Sequence, residues 1–120
     1  MEYLGKLFPR TNRIRCSADY RFIRNQGRRR HTQNFIVYTR FSGNGPARLG
    51  LTVSRKVGRA VTRNRIKRLL REFFRLHHSL MAPGRDISIV AKPGAAFLSY
   101  WQVCEELMFL TRHQTIEKPS

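Results

Sequence analysis

Between residues 55 and 75 the chain places nine basic side chains: Arg55, Lys56, Arg59, Arg63, Arg65, Lys67, Arg68, Arg71 and Arg75. Glu72 is the one acid among them. Like charges at helical spacing repel by roughly a few tenths of a kcal/mol per pair, so a face that only meets water tends to mix signs. An unmixed face is useful when something outside the chain supplies the negative charge. Arginine predominates over lysine, and a planar guanidinium suits bidentate phosphate contacts and stacking on flat rings. The chemistry on offer is recognition of a polyanion.

Other chemistries have less material. The acids are Glu2, Asp19, Glu72, Asp86, Glu105, Glu106 and Glu117. Only Glu105 and Glu106 adjoin, and helical neighbours diverge, so the paired carboxylates of a metal-dependent nuclease are not in evidence. Cys16 and Cys104 lie far apart with no metal-ligand spacing and read as free thiols of a reducing cytosol. His31, His77, His78 and His113 form no ligand pattern, the adjacent pair diverging on a helix. No catalytic or metal-binding side chain is expected.

The whole chain carries the same bias. Its 120 residues include 24 Lys and Arg against 7 Asp and Glu, a net charge of +17, while 41% hydrophobic residues leave enough for a core. Such a field draws in polyanions, nucleic acid first, because displacing condensed counterions gives strong, salt-sensitive affinity. An anionic membrane surface is the second candidate. No window approaches the ~20 apolar residues of a membrane span. Residues 1–15 are charged throughout and lack an apolar signal core. The expectation is one cytoplasmic domain over residues 1–120, with residues 1–12 and 114–120 flexible.

The elements that must position the basic run follow from period and punctuation. Residues 1–15 read as an irregular basic arm. Ser17 is a plausible cap for a short helix to about Gln26, with Gly27 as a left-handed stop and Arg28 to Arg30 as a basic turn. Phe35–Phe41 alternates as a strand, with Phe35, Val37 and Phe41 on one face and Ile36, Tyr38 and Arg40 on the other. The turn cluster at residues 42–46 leads to a second strand over 47–54, with Ala47, Leu49, Leu51 and Val53 on one face. The short connection predicts an antiparallel hairpin. A helix is expected over Ala60–His77, a third strand over 87–91, and a last helix opened by a Ser99–Gln102 capping box, with Tyr100, Val103, Cys104, Leu107 and Leu110 or Thr111 inward. The order α-β-β-α-β-α is an α+β sandwich with a small sheet.

At about 100° per residue, Ile66, Leu69, Leu70, Phe73 and Phe74 of the long helix fall in one arc of about 140°. Asn64, Arg68, Arg71 and Arg75 gather near the opposite pole, and Arg63, Arg65 and Lys67 flank the arc. One side is built for burial, the other for a charged partner. The entry Val57-Gly58-Arg59-Ala60 either needs glycine for its turn or offers backbone N–H groups to a phosphate.

The run from Ser54 to Glu72, with Arg63-Asn64-Arg65 at its centre, resembles the signature of the protein subunit of bacterial ribonuclease P. So do the Leu49-Gly50-Leu51-Thr52-Val53-Ser54 strand before it, Asp19-Tyr20, Gly27, Tyr38, and Asp86-Ile87-Ser88-Ile89-Val90-Ala91. The likeness spans about Arg13 to Arg112. It implies a partner in a large catalytic RNA and a substrate in precursor tRNA, whose 5′ leader the ribonucleoprotein removes. It implies Mg²⁺ chemistry resident mainly in the RNA, no obligate protein partner, and a left-handed strand–helix–strand crossover. Residues that would contact RNA are Arg55, Lys56, Arg59, Arg63, Asn64, Arg65, Lys67, Arg68 and Arg71. A leader cleft would be formed by Tyr20, Arg24, Ile36 and Tyr38, an aromatic and basic groove of the kind that holds single strands. Family members often carry a second aromatic where Arg24 stands, which trades stacking for charge. The competing reading is a ribosomal or assembly protein that binds structured RNA outside any catalytic complex. Such a protein has no need of Tyr20 and Tyr38 lining one groove.

Overall fold

Period-two alternation builds a four-stranded sheet, and a period of 3.6 builds the helices that cover one face of it. The structure is a computed structural model and describes residues 23, 27–41, 43, 45–81 and 83–111. Its elements are β1 (Arg28–His31), β2 (Phe35–Phe41), β3 (Arg48–Thr52), α1 (Ala60–His77), β4 (Arg85–Ala91) and α2 (Tyr100–Leu107). Short 3-10 turns follow α1 at His78–Leu80, β4 at Pro93–Phe97 and α2 at Met108–Thr111. This is the mixed α+β class expected. The helix expected over residues 17–26 lies outside the described residues except at Ile23, which is helical and fully buried.

The strand order is β1-β2-β4-β3. This corrects two expectations. Arg28 to Arg30 form a strand rather than a turn, antiparallel to β2 with Arg28 opposite Thr39 and His31 opposite Ile36. The 35–41 and 47–54 segments do not make a hairpin, because β4 lies between them. It is antiparallel to β2 from Phe35–Ala91 to Phe41–Arg85, and parallel to β3 from Arg48–Asp86 to Thr52–Val90. The physical reason lies in β4. Five of its seven residues are buried, which requires a partner strand on each side. A parallel neighbour needs a long crossover, and α1 supplies it between β3 and β4. The turns preceding β3 and β4 are tied together where Gly84 N–H donates to Gly45 O at 2.7 Å.

The core sits between the sheet and the helices. Phe35 and Val37 of β2, Leu49 of β3, and Ile87 and Ile89 of β4 meet Ile66, Leu70, Phe73 and Phe74 of α1 and Val103 and Leu107 of α2. Leu69 packs against this cluster half-buried, so the apolar arc of α1 is inward as its period requires. Phe41 departs from its face-mates and is 66% exposed at the end of β2. Burying a large apolar side chain contributes about 1.5–3 kcal/mol, so the four buried α1 residues alone hold the helix firmly in place. His77 stacks on Phe73 with centroids 4.4 Å apart, and His78 on Phe74 at 5.6 Å, each i to i+4. The two histidines therefore extend the aromatic contacts in divergent directions.

Local signals also hold at the ends. Gln102 N–H donates to Ser99 Oγ at 3.3 Å, and Ser99 N–H to Gln102 Oε1 at 2.8 Å, completing the capping box of α2. Gly27 acts by size rather than by handedness, which corrects the expected left-handed stop. Its φ is not positive, but a Cβ there would meet the carbonyl oxygens of Ile23 and Thr39 at 2.5 Å each. Glu105 and Glu106 diverge as expected. Glu105 is exposed, whereas Glu106 accepts from Thr32 Oγ1 at 2.6 Å and Asn34 N–H at 2.9 Å, fastening the β1–β2 turn to α2.

Candidate nucleic-acid interface

Residues 54–58 turn the chain from β3 into α1. Val57 N–H donates to Ser54 O at 3.0 Å and Gly58 N–H to Arg55 O at 3.1 Å. Gly58 adopts φ 154°, which side-chain-bearing residues rarely take up, and a Cβ there would crowd Thr62 at 3.1 Å. The turn itself thus calls for glycine. Val57 is buried and anchors the turn, which leaves Arg55 and Lys56 exposed ahead of the helix.

From there the basic residues sort by how they are engaged. Arg55, Lys56, Arg59, Asn64, Arg65 and Arg68 are exposed, and Arg63, Lys67 and Arg71 are half-buried. Arg63 donates from Nε to Gly58 O at 3.1 Å and closes the entry turn. Arg65 reaches across to the turn after β4, donating to Leu98 O at 2.5 Å and Ala96 O at 3.4 Å. Arg75 pairs with Glu72, the lone acid of the run. The side chains of Arg55, Arg59 and Arg68 make no ion pair or hydrogen bond among the described residues. α1 has no acid in its first turn, and its N-cap, Arg59, makes no side-chain cap. The positive end of the helix dipole therefore adds to the charge of the arginines instead of offsetting it. A row of phosphates would relieve this directly.

The second predicted group lies on the sheet face away from α1. Ile36 and Tyr38 are half-buried and alternate with buried Phe35 and Val37, as expected. In register, Tyr38 stands beside Ser88, which is opposite Gly50, and Ile36 beside Val90, which is opposite Thr52. The floor beside Tyr38 is thus made of small residues. Ser88 Oγ is buried there without a hydrogen-bond partner among the described residues. Tyr20 and Arg24, the other expected wall of this groove, lie outside the described residues.

Sequence reasoning missed the ionic cluster on the same face. Asp86 of β4 stands between Arg40 of β2 and Arg48 of β3 in adjacent registers. Arg48 donates from Nε to Oδ1 and from Nη2 to Oδ2, both at 2.8 Å, and Arg40 Nη1 lies 3.5 Å from Oδ2. Asp86 is fully buried, so a bidentate guanidinium is what keeps its charge tolerable. Opposite charges on cross-strand neighbours are the only sequence signal for this, and reading it requires the strand order. Among the described residues no group of three or more His, Cys, Asp or Glu could hold a metal ion. No described helix is long and apolar enough to cross a membrane.

A small antiparallel–parallel sheet, backed by two helices, with an arginine-rich face on its crossover helix, defines a basic α+β protein. The family model described as Ribonuclease P matches residues 8–114. The ribonuclease P protein component of Desulfovibrio desulfuricans is 45% identical over 117 residues, covering 94% of this chain and 90% of its own. That of Halalkalibacterium halodurans is 37% identical over 109 residues, covering 90% and 92%. Among solved structures, the RNase P protein of Thermotoga maritima superposes with a TM-score of 0.77 at 32% identity, over 88% of this chain and 98% of that one. The Staphylococcus aureus RNase P protein gives 0.74 at 32% identity, over 89% and 98%. The chain belongs to the ribonuclease P protein family, the protein components of a tRNA-processing ribonucleoprotein.

Proposed function

We propose that this chain is the protein subunit of a cytoplasmic ribonuclease P, binding the catalytic RNA through α1 and its entry turn and the 5′ leader of precursor tRNA beside Ile36 and Tyr38, on the sheet face away from α1. The observation that carries this reading is the division of α1 into a buried apolar arc and an exposed arginine face with one acid to offset it. Arg55, Lys56, Arg59, Asn64 and Arg68 meet RNA phosphates, while Arg63 and Arg65 also hold the turns that aim this face. Ile36 and Tyr38, with Tyr20 and Arg24, take the single-stranded leader by stacking and charge.

Among the described residues no cluster of carboxylates fits a catalytic metal. Asp86 is engaged by Arg48 and Arg40, Glu106 by Thr32 and Asn34, and Glu72 by Arg75. In this reading the Mg²⁺ that hydrolysis uses is held by the RNA. The protein contributes affinity and orientation, bringing the leader and the catalytic RNA onto one rigid scaffold.

Reconstitution tests this. Added to a bacterial ribonuclease P RNA at low Mg²⁺, the chain restores cleavage of precursor tRNA at the 5′ end of the mature sequence. No gain in cleavage, with the RNA nonetheless bound, would favour a ribosomal or assembly role instead. Tyr38→Ala weakens binding of precursor tRNA more than of mature tRNA. An equal effect on both would make Tyr38 a packing residue only.

A further inference from the structure

A second arginine cluster lies apart from α1, at the free edge of the sheet. Arg28 stands beside Thr39 and Arg30 beside Val37, so both lean over the helix-side face at the outer strand. Arg85, opposite Phe41 on β4, falls on that face too. The turn Met108–Thr111 closes over them, and a cavity of about 350 Å³ remains, whose lining includes these three arginines and Arg29 as well as Phe109 and Leu110. The Arg30 guanidinium lies 3.9 Å from the centroid of the Phe109 ring, which fixes it as one wall. Among the described residues no carboxylate lines the cavity. Arg85 Nε is buried and has no hydrogen-bond partner among the described residues.

Charge on an edge strand commonly guards against edge-to-edge pairing. That purpose is served by side chains standing in solvent. It gives no reason for a guanidinium N–H buried in a cavity without an acceptor, an unfavourable arrangement until one arrives. The cavity is near the lower end of small-ligand sites, with room for one nucleotide unit and not for a helix. It opens beside a strand three spacings, about 14 Å, from β3, on which α1 packs.

We propose that this cavity is a second anion site, in which Arg28, Arg30 and Arg85 take one phosphate of a single RNA strand. The choice of RNA as the source of that phosphate rests on the function proposed above; the cavity itself does not. Arg85 Nε–H donates to a phosphate oxygen, Arg28 and Arg30 neutralise its charge, and Phe109 borders the adjoining sugar or base.

The test is a titration of the ¹⁵N-labelled full chain with a ten-nucleotide oligouridylate, following the arginine Nε–H resonances, beside a titration with inorganic phosphate at equal ionic strength. The Arg85 signal shifts saturably with the RNA, and still does so in an Arg55→Ala/Arg59→Ala/Arg68→Ala variant. In Arg28→Gln/Arg30→Gln, whose changes are at exposed positions, that shift is lost and RNA affinity falls about three- to tenfold. An unmoved Arg85 signal while the α1 arginines respond overturns the second site and leaves the α1 reading standing. No response at either place overturns both. Equal saturation by inorganic phosphate overturns the assignment to RNA. Self-association of the double variant with unchanged RNA affinity shows edge protection and overturns the site.

Discussion

Arg48 and Arg68 carry the same charge and meet opposite fates. Arg48 lies on the sheet, where register sets it beside the buried carboxylate of Asp86, with Arg40 on the other side. Arg68 lies on α1, whose single acid is engaged by Arg75, and it makes no ion pair or hydrogen bond among the described residues. In the sheet cluster both guanidinium groups share a buried carboxylate, which holds three strands together. The helix face is left positive, on an element held rigid by its buried arc. The difference teaches that net charge is a poor guide to a binding face. What matters is which cations the fold leaves without a counter-charge.

The comparison can be broken at several points. Asp86→Ala removes the counter-charge of two guanidinium groups and should destabilise the fold by about 3 kcal/mol, the low end for a buried pair because both arginines reach solvent. Urea unfolding measures it, and a loss under about 1 kcal/mol would mean that water replaces the carboxylate. Arg65→Ala sharpens the contrast within α1. It removes the bonds to the Ala96 and Leu98 carbonyls and should cost about 1 kcal/mol of stability as well as RNA affinity. Arg68→Ala should leave stability within about 0.5 kcal/mol, as surface changes without partners do, and lower RNA affinity alone. Equal stability losses for these two variants would erase the distinction between an anchoring and a free arginine.

How much of this was legible in advance depends on the range of the interactions. α1, its buried arc and the Ser99–Gln102 box rest on neighbours three or four residues apart, and period alone places them. The alternation that sends Ile36 and Tyr38 away from Phe35 and Val37 is equally local. The strand order was not legible, because β4 enters between β2 and β3 only after an 18-residue helix has carried the chain across. For the same reason the arginines could be counted but not sorted. Arg48 finds its partner 38 residues away, and Arg65 finds its acceptors 31 and 33 residues away. Gly27 carried a correct emphasis with the wrong cause, since the backbone it must clear belongs to β2 as well as to Ile23. Of the four residues expected to form a leader groove, Ile36 and Tyr38 share a sheet face, and Tyr20 and Arg24 lie outside the described residues.

The central claim is that the unengaged arginines of α1 and its entry turn meet RNA phosphates. The direct measurement is the affinity of the Arg55→Ala/Arg59→Ala/Arg68→Ala chain for ribonuclease P RNA across a series of salt concentrations. The account predicts weaker binding and a shallower log–log salt slope. Each phosphate that the variant no longer neutralises flattens the slope by about 0.7–0.9, so by about 2–3 in all. An unchanged slope, with the variant folded as the parent, would contradict it.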